Sequence, residues 1–430
     1  MSGHVFGRPG PARGLGFGPK RSRFVSDAPA DFRFADVLAR VNFTQMTAPD
    51  AVAPAFTRAS SRHGAEASGT LMPFAAGEPA ILSGVGYRHN EGWTNEVTDP
   101  LASGAVAGVV GSGGSLPTGC GTGNIDTVEV LSVEARPDGR TWVTVSLTKG
   151  TVASVTYPRL WFVTNVASGA GDDWSARVRL NLISHSGAAG AVQAQLEGIS
   201  NYKALDLSNL AVGEQEVFLS GQNDGTSTSV KFQIGANLAI GESWNCVVEF
   251  ALPQLTQTAY QMPPGTGTTA ADRMIFDAAM VGLATNPSLT GFTALWRGIL
   301  RESDADYARA FEAAHDIDNR LALAKNAANQ LTILHAVDGI YGSAQLAAGL
   351  GEETTVGVTW RAGGSMTIAE AGQVQLTRTV TPFDAVITTL SVGCGRTGAD
   401  LFNGETGRFL CIPTAIGDDE LAQLVQRAAA

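Results

Sequence analysis

Residues 243–273 read SWNCVVEFALPQLTQTAYQMPPGTGTTAADR, a stretch that alternates, breaks into a run of Thr, Gly and Pro, and then starts again. In its first part Trp244, Cys246, Val248 and Phe250 share one face. That is the period-two spacing of a half-buried strand, so Trp244 is assigned to a core. Pro253 and the pair Pro263-Pro264 are expected to stop strand pairing, because proline donates no backbone hydrogen bond. The Thr-Gly run then carries the chain across and Asp272-Arg273 opens a new unit, which puts a domain boundary near residue 270.

The same alternation recurs on both sides of this break. Upstream, TWVTVSLT puts Val143, Val145 and Leu147 on one face and Trp142, Thr144 and Ser146 on the other. ARVRLNLI turns Val178, Leu180 and Leu182 inward with Arg177, Arg179 and Asn181 outward, and VKFQIG sets Val230, Phe232 and Ile234 against Lys231 and Gln233. Downstream, FTALWRGIL, NRLALAK, QLTILHAV, TTVGVTW and QVQLTRTV continue the pattern, and Trp360 falls on the inward side with Val356 and Val358. With 430 residues, 51 of them Gly, and 16% charged, the chain exceeds one ordinary core and suits short strands joined by turns. The expected fold is all-β, with two β-sandwich domains after an extended N-terminal segment. Two helices are expected: one near 303–314, behind a Ser303/Asp306 capping pattern, and one closing the chain, with Leu421, Leu424 and Val425 on one stripe.

Charge and motif content narrow the function. A net charge of −11 argues against a general nucleic-acid surface, which would rest on Lys and Arg. No apolar run approaches the roughly 20 residues of a membrane span, and MSGHVFGRPGPARG lacks the apolar segment of a secretory signal, so a soluble chain made in a cytoplasm is expected. Cys120, Cys246, Cys394 and Cys411 form no CxxC pair and are assigned as structural thiols. Residues 1–30 carry Arg8, Arg13, Lys20, Arg21 and Arg23 before the first acid, Asp27, and read as a docking arm for an acidic surface.

Several stretches together resemble one family, the modular fibre and spike proteins with which bacteriophages and phage-like gene transfer agents attach to cells. FTRASSRHGAEASGTLMPFAAGEPAI (56–81) is similar to that family's opening motif, with Arg62, His63 and Gly64 where a Tyr or Val usually follows the serines. TNEVTDPLASGAVAGVVGSGGSLPTGC (94–120) is similar to its linker into a middle jelly-roll-like domain, with Cys120 in place of a Trp. PQLTQTAYQMPPGTGTTAADR resembles the exit from that domain, with Thr256 in place of a Glu. VGVTWRAGG (356–364), LSVGCGRTGADLFNGETGRF (390–409) and IGDDELAQLV (416–425) resemble a concanavalin-like or laminin-G-like sandwich closed by a short helix. The resemblance implies a docking arm over 1–50, a small hairpin and linker over 51–95, a jelly-roll-like carbohydrate-binding sandwich over 96–270, and a concanavalin-like sandwich over 271–430. It further implies a subunit on the particle surface that binds host capsule or envelope polysaccharide, contacts other virion proteins through its arm, and assembles as a trimer.

Sugar recognition needs aromatic faces for the apolar side of a ring, and amides, carboxylates or Arg for its hydroxyls. Candidate residues are Trp142, on the polar face of its strand, Trp174, after the turn GAGDD, and the row Arg177, Arg179 and Asn181. Asp172 and Asp173 equally suit capping of that turn, and no complete calcium ligand set is present. No catalytic residue, cofactor or metal is assigned. The carboxylate groups ESDAD (302–306) and HDID (315–318) match no paired-carboxylate pattern, so a depolymerase is the lesser alternative. A purely structural spike or decoration subunit is the other.

Overall fold

The computed structural model describes residues 30–33 and 55–429, apart from 67, 69, 78, 83–85, 90–91, 188–191, 201, 210–212, 260, 263–266, 279–283, 302–305, 374 and 382. The described chain is almost all β, in two sandwiches. In the first, a five-stranded sheet has the order 121–123, 159–167, 229–235, 193–197, 203–206. It faces a seven-stranded sheet in the order 215–222, 173–186, 244–256, 141–149, 127–135, 108–110, 113–114. The inward residues of the alternating segments meet between the layers: Val143, Val145, Leu147, Val178, Leu180, Val230, Phe232, Ile234 and Trp244 are all buried in one cluster. Phe162 of one sheet lies 5.0 Å from Phe232 beside it and 5.0 Å from Phe250 of the other, so aromatic contacts bridge the layers.

The second sandwich draws strands from a wider span than its expected range. Its eight-stranded sheet runs 376–379, 365–370, 353–361, 292–300, 404–412, 86–89, 81–82, with 30–33 also on the edge of 404–412. Its seven-stranded sheet runs 55–57, 273–277, 389–392, 309–314, 320–325, 331–337, 340–345. Residues 51–95 are thus no separate linker: three of their strands complete these sheets. Only the hairpin Arg62–Ala65 with Leu71–Phe74 stands alone. Within the segment expected as a docking arm, Ala30–Arg33 pairs with Arg408–Cys411, while Arg8, Arg13, Lys20, Arg21 and Arg23 lie outside the described residues.

Two local expectations are corrected. No helix occupies 306–314: Arg309–Ala314 is a strand whose every residue is buried, because neighbouring strands flank it on both sides and Phe311 points into the core. The capping pattern is a weak signal beside that burial. Pro253 does not end its strand either. Trp244–Thr256 continues through it by a bulge in which Leu252 and Pro253 together oppose Val178, with Leu252 at φ 52°. A bulge leaves one residue out of the ladder, and that is where a proline without an N–H fits.

The closing helix is present as Asp418–Ala429, with Asp418, Asp419 and Glu420 in its first turn, where they complement the positive end of the helix dipole. Leu421, Val425 and Ala428 pack on Leu295 and Leu410 of the eight-stranded sheet. Gly357 permits the approach, since a Cβ there would lie 2.7 Å from Val425 Cγ2 and 2.9 Å from Leu421 Cδ1.

Between the sandwiches the chain passes twice, and the two passages hold each other. Trp93-Thr94 pairs with Thr268-Thr269, and Asn95 accepts from the backbone N–H groups of Val97 and Leu255 while its amide donates to the Pro253 carbonyl. Below them Asp272 is buried between two buried arginines, 3.2 Å from Arg58 Nη1 and 2.9 Å from Arg62 Nη1. Arg58 also donates to the carbonyls of Ser60 and Ala75, and Ser60 Oγ accepts from the Ala270 N–H. Across the same seam Leu71 N–H donates to the Asp138 carbonyl of the first sandwich, over a turn in which Gly139 takes φ 78°. Removing one partner of a buried ion pair leaves the other charged and dry, at a cost of about 3–5 kcal/mol. Asp272→Asn is therefore expected to lower the unfolding free energy measured by urea titration by about that amount. Asp338→Asn, on an exposed turn, is expected to leave it unchanged.

Candidate functional site

The sequence candidates of the first sandwich do not assemble into an open site. Alternation places Trp142 correctly on the polar face, but its ring is fully buried and not exposed as expected. Arg136 lies over it at 4.4 Å and is itself held by Glu134, Glu214 and Glu249. Trp174 sits in the core, and its indole N–H donates to Ser168 Oγ at 2.8 Å. Asp172 accepts from the Gly169 N–H at 2.6 Å, so that carboxylate stabilises its own turn. Arg177, Arg179 and Asn181 do form an outward row, each half-buried. Arg177 pairs with Glu216 at 2.7 Å and Arg179 lies 3.7 Å from the same carboxylate, so the row is engaged within the molecule.

A pocket of about 470 Å³ opens instead on the seven-stranded sheet of the second sandwich. Its lining includes Tyr307, Arg309, Arg320, Asn326, Thr332, Leu334, Tyr341 and Ser343. Strand register builds it. One cross-strand row reads Arg309, Ala324, Thr332, Gln345, and another reads Ala314, Arg320, Ala336, Tyr341. These residues alternate with the core residues Phe311, Leu321, Leu323, Ile333 and Ala344, so they face away from the core. The alanines leave room above the sheet for the longer side chains beside them. Tyr307 and Tyr341 stand at the rim, 45% and 58% exposed.

Charge around the pocket is ordered by buried partners. Arg320 pairs with the buried carboxylate of Glu312 at 3.2 Å, and Glu312 also accepts from the Arg396 N–H at 2.8 Å. Arg309 lies 3.4 Å from Asp400 and donates to the Tyr307 carbonyl at 2.7 Å. Burial lowers the Arg309 pKa. The Tyr341 hydroxyl donates to Asp318 at 3.0 Å, and that bond raises its pKa. The guanidiniums of Arg320 and Arg309 lie 5.8 Å and 5.9 Å from the rings of Tyr341 and Tyr307, which sets both phenols. Among the described residues the lining thus has two guanidiniums, two phenols, the His335 imidazole, and amide and hydroxyl groups, with the carboxylates of Asp400, Glu312 and Asp318 holding Arg309, Arg320 and Tyr341. Among the described residues no three His, Cys, Asp or Glu side chains gather as a metal site.

Sequence reading missed this pocket for a physical reason. NRLALAK shows Arg320 alternating with small residues, but that Tyr341 lies in the same row is set by register two strands away. Tyr307 precedes a segment expected to be helical.

No protein-family model and no curated protein matches the chain. Among solved structures it is similar to the CBM40 of Ruminococcus gnavus IT-sialidase bound to alpha2,3 sialyllactose, at 17% identity and TM-score 0.29, over 34% of this chain and 86% of that one. It is also similar to the leech intramolecular trans-sialidase complexed with 2,7-anhydro-Neu5Ac, at 17% identity and TM-score 0.28, over 36% of this chain and 26% of that one. Overlaps this loose carry no inference about ligand or activity.

At the pocket edge His335 packs edge-on against Trp360 at 5.8 Å, and burial, with Arg378 nearby, lowers its pKa below the ordinary 6.5. The unfolded chain then binds more protons between the two values, so stability falls as pH drops through 6.5 toward the folded value. His63, held down by burial as well, acts with the same sign. In thermal unfolding across pH 7 to 5, His335→Gln is expected to flatten part of this loss.

Proposed function

We propose that the protein binds a cell-surface polysaccharide through the Tyr307–Tyr341 pocket, as an attachment subunit of fibre or spike type displayed on a phage-like particle. The pocket carries the reading. Two exposed phenol rings offer apolar faces, and Asn326, Thr332 and Ser343 offer hydrogen bonds to hydroxyls, beside the guanidiniums of Arg309 and Arg320 that Asp400 and Glu312 hold in place. The particle role rests on the motif resemblance. The FTRxS motif and the AADR exit, 214 residues apart at Arg58 and Asp272, meet as one buried ion cluster. Display as a trimer would turn weak single-site contacts into firm attachment.

Isothermal titration with capsule oligosaccharides is expected to show binding that Tyr341→Ala weakens about tenfold, or roughly 1.4 kcal/mol. Tyr341 is a rim residue, so the melting temperature should hold. Release of reducing ends would establish a depolymerase. Failure to bind any acidic or neutral polysaccharide, with particles still capturing the chain, would establish a purely structural subunit.

A further inference from the structure

Arg88 lies on the outer face of the eight-stranded sheet, since Tyr87 beside it points into the core. It stands in register with Glu405, and its side chain is only 15% exposed. A guanidinium so placed needs a counter-ion of its own. Glu405 is already engaged: its Oε1 accepts from Nε and Nη2 of Arg301, at 3.2 and 2.9 Å, and is 3.7 Å from Arg88 Nη1. Among the described residues Arg88 Nε is buried with no hydrogen-bond partner.

Further cations crowd this guanidinium. Arg62 Nη2 donates to the Arg88 carbonyl, and Arg62 Nε is likewise buried without a partner among the described residues. Burial lowers the Arg88 pKa to about 10; Glu405 offsets part of that, while the fields of Arg301, Arg62 and Arg177, the last from the first sandwich, add to it. Each carboxylate of the region is shared by two arginines. Asp272 faces Arg58 and Arg62, Glu405 faces Arg88 and Arg301, and Glu216 faces Arg177 and Arg179. Among these groups positive charge exceeds negative, in a chain whose net charge is −11.

From this arrangement we infer that the seam between the sandwiches holds an anion site, taking one doubly charged tetrahedral oxyanion of the sulfate or phosphate class on Arg88 and Arg301. Guanidinium N–H groups form charge-assisted bonds to two oxygens of such an ion at once. Arg88 offers its unpartnered Nε. Arg301 uses Nε and Nη2 for Glu405 and leaves Nη1, and its side chain is 40% exposed, which gives the ion an approach from solvent. A dianion suits the site better than a carboxylate, because every shared acid leaves one guanidinium charge unmatched. With Arg88 in the second sandwich and Arg177 in the first, the bound ion relieves their repulsion and ties the two units together. The Tyr307–Tyr341 pocket is separate, on the other sheet of the second sandwich.

The full chain is titrated calorimetrically with sodium sulfate, inorganic phosphate and glycerol 3-phosphate, at an ionic strength held constant with sodium chloride. One ion is expected to bind per chain, and the melting temperature to climb with ligand concentration. Arg88→Met and Arg301→Gln should each weaken that binding at least tenfold. Without the anion, Arg88→Met should melt no lower than the unaltered chain, because it removes an unmatched buried charge. A clear drop would make Arg88 a structural partner of Glu405 and overturn the site. Glycerol 3-phosphate binding as tightly as inorganic phosphate assigns the site to an ester group, and its exclusion assigns it to the free ion. Binding that survives both substitutions, or a melting temperature that chloride raises equally, means an adventitious ion only and overturns the proposal. Tyr341→Ala should leave oxyanion binding unchanged, and Arg88→Met should leave polysaccharide binding unchanged, so the two sites fail separately.

Discussion

A carboxylate with no access to water, set between two guanidiniums, holds the two halves of this chain in one arrangement. Asp272 immediately precedes the strand 273–277 of the second sandwich, while Arg58 and Arg62 come from a segment more than two hundred residues earlier. None of the three tolerates burial alone, so the early segment must return to the seam for the strand to form. The cluster thereby explains why strands from 55–57, 81–82 and 86–89 join sheets built mostly from residues beyond 272. It also explains why the hairpin between them lies against the 138–140 turn of the first sandwich.

With the seam set, the faces of the two sandwiches are covered to different degrees. The C-terminal helix covers the eight-stranded sheet, and the Arg136 network covers the face of the first sandwich that bears Trp142. The face left over is the seven-stranded sheet of the second sandwich, whereas the outward Gln195 and Gln233 of the five-stranded sheet are themselves buried. It carries exposed tyrosines beside small alanines. Small residues beneath large ones are how a pleated sheet, convex by nature, makes a seat for a flat ligand.

Alternation was legible where a single strand decided it. Val143, Val145 and Leu147 face the core as their spacing requires, and Trp244 and Trp360 are buried. The closing helix follows its capping acids and apolar stripe. Trp142 shows the limit: period two assigns it to the outer face, but Arg136, six residues earlier and across a turn, decides whether that face meets water. Pro253 shows another, because a proline ends pairing only when no bulge absorbs it. Arg309–Ala314 shows a third, since a short apolar run reads equally as helix or strand until its neighbours are known.

The sequence by itself determined the all-β class, the inward residue of nearly every strand and the terminal helix. All of these depend on interactions within a few residues, where spacing and side-chain type suffice. Only the tertiary structure decided which strands are neighbours, and with that which aromatic rings are open. Register joins Tyr341 to Arg320 and Trp161 to Gly121, and coverage by distant segments buries Trp142 and Trp174. Exposure of a side chain is a property of everything packed around it, and a pattern of period two carries no record of what crosses above it.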